Sequence, residues 1–80
     1  MRIQLYDRGS PHGKKMFADI QNICRRLQID DDPEYIQEMT RPYSMGIQGK
    51  TILMINGGAV LVDEFLSEKE LEAIIMDFME

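Results

Sequence analysis

The chain has 80 residues, of which 44% are hydrophobic and 29% charged, and its formal net charge is -5. This composition predicts one small globular domain over residues 1–80 and argues against a disordered or collagen-like chain. The apolar runs, such as residues 52–55, are far shorter than the roughly 20 residues that cross a bilayer. The first residues also lack the apolar run of a signal peptide, so we expect a cytoplasmic protein with no membrane partner.

The single cysteine, Cys24, limits the kinds of site that the chain can build. One cysteine cannot form an internal disulfide, and it cannot alone provide a structural zinc site. The run Asp30-Asp31-Asp32 lacks the alternating carboxylates and central glycine of a calcium loop, and it reads as a solvated turn. We therefore expect no metal and no cofactor.

Acidic and basic residues are unevenly distributed along the chain. Residues 1–27 contain six bases and two acids, whereas residues 28–80 contain three bases and twelve acids. A nucleic-acid binder would carry a basic face with aromatic residues among the bases, so we expect no nucleic-acid partner. Arg8, Lys14 and Lys15 bracket one short loop, where a small anion would be favoured.

The first third of the chain predicts a strand followed by a helix. Polar and apolar residues alternate over residues 2–6, which is typical of a half-buried strand. Ser10 and Pro11 then provide an N-cap and a proline at the first helical position. Apolar residues recur at helical spacing as far as Leu27, so we expect a helix over residues 11–27.

The middle of the chain is harder to assign. Residues 30–33 form a turn, because aspartates compete for local hydrogen bonds and proline disfavours helix in the residue before it. Residues 34–37 can form a short second strand. Residues 38–45 remain ambiguous, because Pro42 would interrupt any helix that does not start near Thr40 or Arg41.

The last third predicts a hairpin and a terminal helix. Residues 51–55 and 59–62 are apolar runs, and Asn56-Gly57-Gly58 between them favours a tight turn. Ser67 and Glu70 have the spacing of a capping box before an apolar helical face.

The resulting order is β-α-β-(α)-β-β-α. A right-handed crossover makes the first two strands parallel, and the tight turn makes the last two antiparallel. The continuous apolar third strand suggests that both of its faces are covered. We therefore predict an α/β protein with a mixed four-stranded sheet and helices on both faces.

This order is that of the thioredoxin and glutaredoxin fold, and the chain resembles small thioredoxin-like proteins of the archaeal and bacterial redox-active disulfide type over almost its whole length. In that family a Cys-x-x-Cys pair opens the first helix, and the matching residues here are Ser10-Pro11-His12-Gly13, after Gly9. The family also has a cis-proline before the third strand, where this chain has Thr51. The resemblance implies a thioredoxin-like (glutaredoxin-like) fold without dithiol oxidoreductase activity, because a hydroxyl lacks the acidity and reducibility of a thiol.

Three functions remain open. The first is a non-redox, degenerate thioredoxin-like domain that serves as a binding or accessory module. Its groove would hold a protein partner or a small ligand, and its candidate residues are Gly9, Ser10, Pro11, His12, Gly13, Lys14, Tyr43, Lys50 and Thr51. In the family the region of Met39, Tyr43 and Met45 helps to form this groove, and exposed methionine and tyrosine suit an adaptable surface.

The second function is a glutathione- or thiol-ligand-binding domain in which Ser10 donates a hydrogen bond to a bound thiolate. Residues 10–15 are similar to the serine segment of some serine-type glutathione transferases, although the cis-proline and the Glu-Ser pair of those proteins are missing. The third is a regulatory thiol protein acting through Cys24, whose pKa Arg25 and Arg26 would lower if the thiol were exposed.

Ordinary structural roles compete with each of these functions. Ser10 can be a plain N-cap, and His12 a solvated turn residue without an acid to orient it. Helical spacing puts Cys24 at the buried face, which favours core packing. For the assembly we expect a monomer, or a weak homodimer through the fourth strand or near Met79.

Overall fold

Four strands form one mixed sheet in the computed structural model, which describes residues 1–79. The elements in chain order are β1 (Ile3–Asp7), α1 (Pro11–Arg26), β2 (Glu34–Ile36), α2 (Thr40–Ser44), β3 (Thr51–Ile55), β4 (Gly58–Val62) and α3 (Glu68–Asp77). The strand order is β2-β1-β3-β4. As predicted, β1 and β2 are parallel and β3 and β4 antiparallel, and β1 also pairs with β3 in the antiparallel sense.

Local capping fixes both ends of α1. The Ser10 hydroxyl accepts a hydrogen bond from the Gly13 amide, and Pro11 occupies the first turn, where its missing N–H costs nothing. The helix ends at Arg26, one residue before the predicted end, because Leu27 is its C-cap and Gln28 has a positive φ of 55°. α3 begins at the predicted capping box of Ser67 and Glu70.

No helix within residues 1–79 has the length and apolar character needed to cross a membrane.

The ambiguous segment contains the short helix α2. Thr40 is its first residue, so Pro42 falls in the first turn. Amides of the first turn have no partner within the helix, and proline is therefore tolerated there. Pro42 is buried, which indicates that packing stabilises this short helix.

The hairpin between β3 and β4 has the predicted tight turn. Asn56 and Gly57 both have positive φ values, 53° and 85°, as a type I′ turn requires. β4 starts at Gly58, one residue earlier than expected, because Gly58 pairs with Ile55. The register shifts between Leu53 and Met54, which indicates a bulge in β4.

Side chains alternate between the two faces of the sheet and build two cores. The larger core packs the sheet against α1 and α3, and it includes Leu5, Ile20, Leu53 and Ile75. The smaller core lies on the opposite face and consists of Tyr6, Met39, Ile52 and Met54, with Ile36 and Ile47 packed against it. Since Met39 and Ile47 flank α2, the chain around α2 covers this second face. Both faces of the central strands β1 and β3 are thus buried, as the apolar third strand predicts.

Candidate functional site

The carboxylate of Asp7, at the end of β1, is the centre of a dense hydrogen-bond network. Asp7 is 1% exposed. Its Oδ2 accepts from the amides of Gly9 (3.0 Å) and Ser10 (2.8 Å) and from the Tyr35 hydroxyl (2.7 Å). Its Oδ1 accepts from the hydroxyls of Ser10 (2.8 Å) and Thr51 (2.7 Å). The network ties β1 to the start of α1, to β2 and to β3.

This network keeps Asp7 ionised. Burial alone would raise the pKa of the carboxyl, but the hydrogen bonds from Thr51, Tyr35 and Ser10 outweigh burial and lower the pKa to about 2. The pKa of the Tyr35 hydroxyl is raised by burial and by its contact with the Asp7 charge. Asp7 is therefore a fully hydrogen-bonded anion at neutral pH, and a weak base.

Gly13 is required by the position of the Asp7 carboxylate. A Cβ atom at Gly13 would lie 2.1 Å from Cγ of Asp7 and 2.1 Å from its Oδ2, far inside van der Waals contact. In the resemblance to thioredoxin-like proteins, position 13 is that of the second cysteine. The Asp7 carboxylate thus fills the space in which the side chain of a second thiol would begin.

The polar groups at the start of α1 are largely used within the protein. The Ser10 hydroxyl donates its one proton to Asp7 and accepts from the Gly13 amide at 2.9 Å. The Lys14 amide donates to the Ser10 carbonyl at 3.0 Å, and Pro11 has no N–H. Gly9, with a φ of +97°, turns its amide back toward Asp7. The anion that a helix N-terminus favours is here the protein's own carboxylate.

An open groove of about 510 Å³ lies beside this network. Its lining residues are Asp7, Arg8, Gly9, Ser10, Met39, Tyr43 and Lys50. Tyr43 is 45% exposed and also lines a neighbouring cavity of about 350 Å³ with Gly46 and Gln48. Four of the predicted site residues, Gly9, Ser10, Tyr43 and Lys50, therefore face one groove.

Other predicted site residues lie around this groove rather than in it. Gly13 and Thr51 are buried behind it against Asp7. The Lys14 side chain lies over Gly9, since its Cε would be 3.9 Å from a Cβ atom there. Pro11 is exposed at the start of α1 and does not line the groove.

His12 faces away from the groove. Its ring packs against Phe65, with ring centroids 4.5 Å apart. It lines a separate cavity of about 200 Å³ with Lys15 and Asp19, which pair with each other at 2.9 Å. The structure therefore does not bring His12 and the Ser10 hydroxyl to the same groove.

The loop before β3 is held by side chains from two directions. Oδ1 of Asp63 accepts from the amides of Lys50 (2.8 Å) and Thr51 (2.9 Å). The Tyr43 hydroxyl donates to the Gly49 carbonyl at 3.0 Å. Residues 1–79 contain no cis peptide bond, so the Lys50-Thr51 bond is trans. The amides of Lys50 and Thr51 thus already have acceptors within the protein.

Cys24 lies in the larger core and is 4% exposed. Burial and the nearby Asp32 charge raise the pKa of its thiol. This direction is opposite to the one that Arg25 and Arg26 would produce on an exposed thiol. The packing role that the helical spacing predicts is the one that the structure shows.

Two acids of the site were missed by the sequence interpretation. The sequence patterns predict a site role for neither Asp7 nor Asp63. A glycine inside α1 was the available signal for Asp7, because a helix-interior glycine often marks the close approach of another group. For Asp63 the sequence offers no comparable signal.

No protein-family model, curated protein or solved structure matches this chain. The class that the structure itself defines is a small α/β protein with a mixed four-stranded sheet and three helices.

Proposed function

We propose that the chain is a degenerate thioredoxin-like domain that acts as a binding module without redox chemistry. The observation that carries this proposal is the groove of about 510 Å³ at the start of α1, where the resemblance places the redox thiols and where the Ser10 amide and hydroxyl both donate to Asp7. A site arranged in this way has an accessible surface but few polar groups that are free to react with a ligand.

The contacts of Ser10 favour binding over thiol-ligand chemistry. To donate to a bound thiolate, the Ser10 hydroxyl would have to leave Asp7, which accepts its proton at 2.8 Å. The thiolate would also lie near the buried Asp7 charge, and like charges repel. A carboxylate with a pKa of about 2 is, moreover, a poor general base for activating Ser10.

The lining of the groove suits a protein or peptide partner. Met39 is buried and forms part of the groove, and the half-exposed ring of Tyr43 stands beside it. Methionine adapts to differently shaped apolar groups, and tyrosine is enriched at binding interfaces. Arg8 and Lys50 provide charged groups next to this apolar surface.

The experiment is selection from a library of displayed random peptides, followed by affinity measurement on the wild type and two variants. Tyr43→Ser removes the exposed ring from the groove. Met76→Ser removes a side chain of nearly the same exposure, 47% against 45%, from α3 and serves as the control. Selected peptides should bind wild type and Met76→Ser equally and Tyr43→Ser about 10-fold more weakly.

Because Tyr43→Ser also loses the hydrogen bond to Gly49, Tyr43→Phe should be measured beside it. Retained binding in Tyr43→Phe assigns the effect to the ring. Failure to enrich any peptide, or equal binding by Tyr43→Ser and Met76→Ser, would contradict the proposed function.

A further inference from the structure

We infer that the partner of this groove is an acidic segment of another protein that presents one large apolar side chain. This inference rests on the proposed function of the groove and specifies the chemistry of its partner.

The first argument is the set of bases around the groove. Arg8 and Lys50 line it, and the Lys14 side chain reaches over Gly9 at its edge. Within residues 1–79 none of these three bases forms an ion pair, whereas Lys15, near the same helix start, pairs with Asp19. The bases at the groove are thus available to an external carboxylate.

The second argument concerns the acids nearby. Asp7 is buried and accepts five hydrogen bonds, and Asp63 accepts the amides of Lys50 and Thr51. Among the residues that line the groove, Asp7 is the single acid and Arg8 and Lys50 are the bases, in a chain whose net charge is -5. An acidic segment is therefore attracted to this groove and repelled by most of the remaining surface.

The third argument concerns the apolar anchor. Met39 and Tyr43 form an apolar wall, and a cavity of about 510 Å³ is large enough for an aromatic or aliphatic side chain. Gln37 adds a side-chain amide at the edge, since its Nε2 would lie 3.6 Å from a Cβ atom at Gly9. Apolar contact would supply affinity, and the bases would select the charge of the flanking residues.

The experiment uses three displayed octapeptide libraries with the same randomised apolar pair at the centre and with flanks of Glu, Gln or Lys. The Glu library should enrich most strongly and the Lys library least. Peptides from the Glu library should bind about 5-fold more tightly than the same peptides with Gln flanks at low salt, and the difference should shrink at about 0.5 M salt.

Charge-reversal variants identify the groove as the source of the preference. Lys50→Glu and, separately, Arg8→Glu should weaken the acidic peptides about 5-fold and should improve the basic ones. Lys69→Glu makes the same change in net charge on α3 and should leave the order of the three peptides unchanged. Two variants in different loops keep the test valid if one of them does not fold, which far-ultraviolet circular dichroism would show.

Each outcome decides a different claim. Enrichment of all three libraries to the same degree, or a preference that neither Lys50→Glu nor Arg8→Glu alters, overturns the acidic partner and leaves the binding module intact. Failure of every library to enrich overturns both proposals.

Discussion

Replacing Asp7 with asparagine should strongly destabilise the fold, although the two side chains have nearly the same shape. Three donors converge on Oδ2 and two hydroxyls on Oδ1. The asparagine Nδ2 is itself a donor, and it would meet the amides of Gly9 and Ser10 if it took the place of Oδ2. The less costly orientation places the asparagine Nδ2 against the hydroxyls of Ser10 and Thr51, which can rotate to accept its hydrogen bonds.

The lowered pKa of Asp7 gives the size of the electrostatic contribution that Asp7 makes to the free energy of unfolding. The difference between the ordinary pKa of 3.8 and the pKa of about 2 in the folded protein corresponds to about 2.5 kcal/mol of folding free energy. Because folding lowers the pKa of Asp7, this contribution is complete above about pH 4 and is lost as the pH falls through about 2. With the mismatched donors, we expect Asp7→Asn to lower the free energy of unfolding by about 3 kcal/mol at pH 7.

Urea denaturation followed by far-ultraviolet circular dichroism, repeated between about pH 7 and pH 2, measures both effects. Wild type should lose stability steeply over the lower part of this range, and Asp7→Asn should lose about 2 kcal/mol less, because a small part of the Asp7 contribution remains at pH 2. Asp30→Asn, at an exposed position in the loop before β2, is the matched control and should behave as wild type. A loss below about 0.5 kcal/mol in Asp7→Asn, or an unchanged pH dependence, would refute the reasoning.

Three further predictions concern the same network and the core. Gly13→Ala should cost about 2 to 4 kcal/mol in urea denaturation, although alanine favours helix, because its Cβ would displace the Asp7 carboxylate; a stabilised variant would contradict the close approach. Tyr35→Phe should cost about 1 to 2 kcal/mol and raise the pKa of Asp7, measured by carbon-13 NMR of its carboxyl, and an unmoved pKa would rule out the hydrogen bond. Cys24 should react with a thiol reagent about 100-fold more slowly in the folded protein than in urea, and equal rates would contradict its burial.

Most of the fold could be predicted because its signals are local. Ser10 with Pro11, Ser67 with Glu70, and Asn56 with Gly57 each specify a helix start or a turn through neighbouring residues. α2 could not be assigned in the same way. Its five residues are held by the burial of Pro42 and by Met39 in the second core, and such contacts depend on the finished sheet.

The site was predicted only in part, for a related reason. The Ser10 cap is local and was found, but the partners of Asp7 are distant in sequence: Tyr35 is 28 residues away and Thr51 is 44 residues away. The spacing of residues along one strand or helix does not show such contacts. The sequence therefore indicated where the groove lies, whereas the folded chain shows that its helix start is already occupied by Asp7.

The most direct test of this account is a titration of nitrogen-15-labelled protein with reduced glutathione and, separately, with phosphate. Asp7 already accepts hydrogen bonds from the amides of Gly9 and Ser10, and the Ser10 hydroxyl accepts one from the Gly13 amide. We therefore predict no saturable chemical-shift change of these three amides with either ligand. Saturable shifts from glutathione that disappear in Ser10→Ala would show that Ser10 serves a bound thiol, and they would contradict the account.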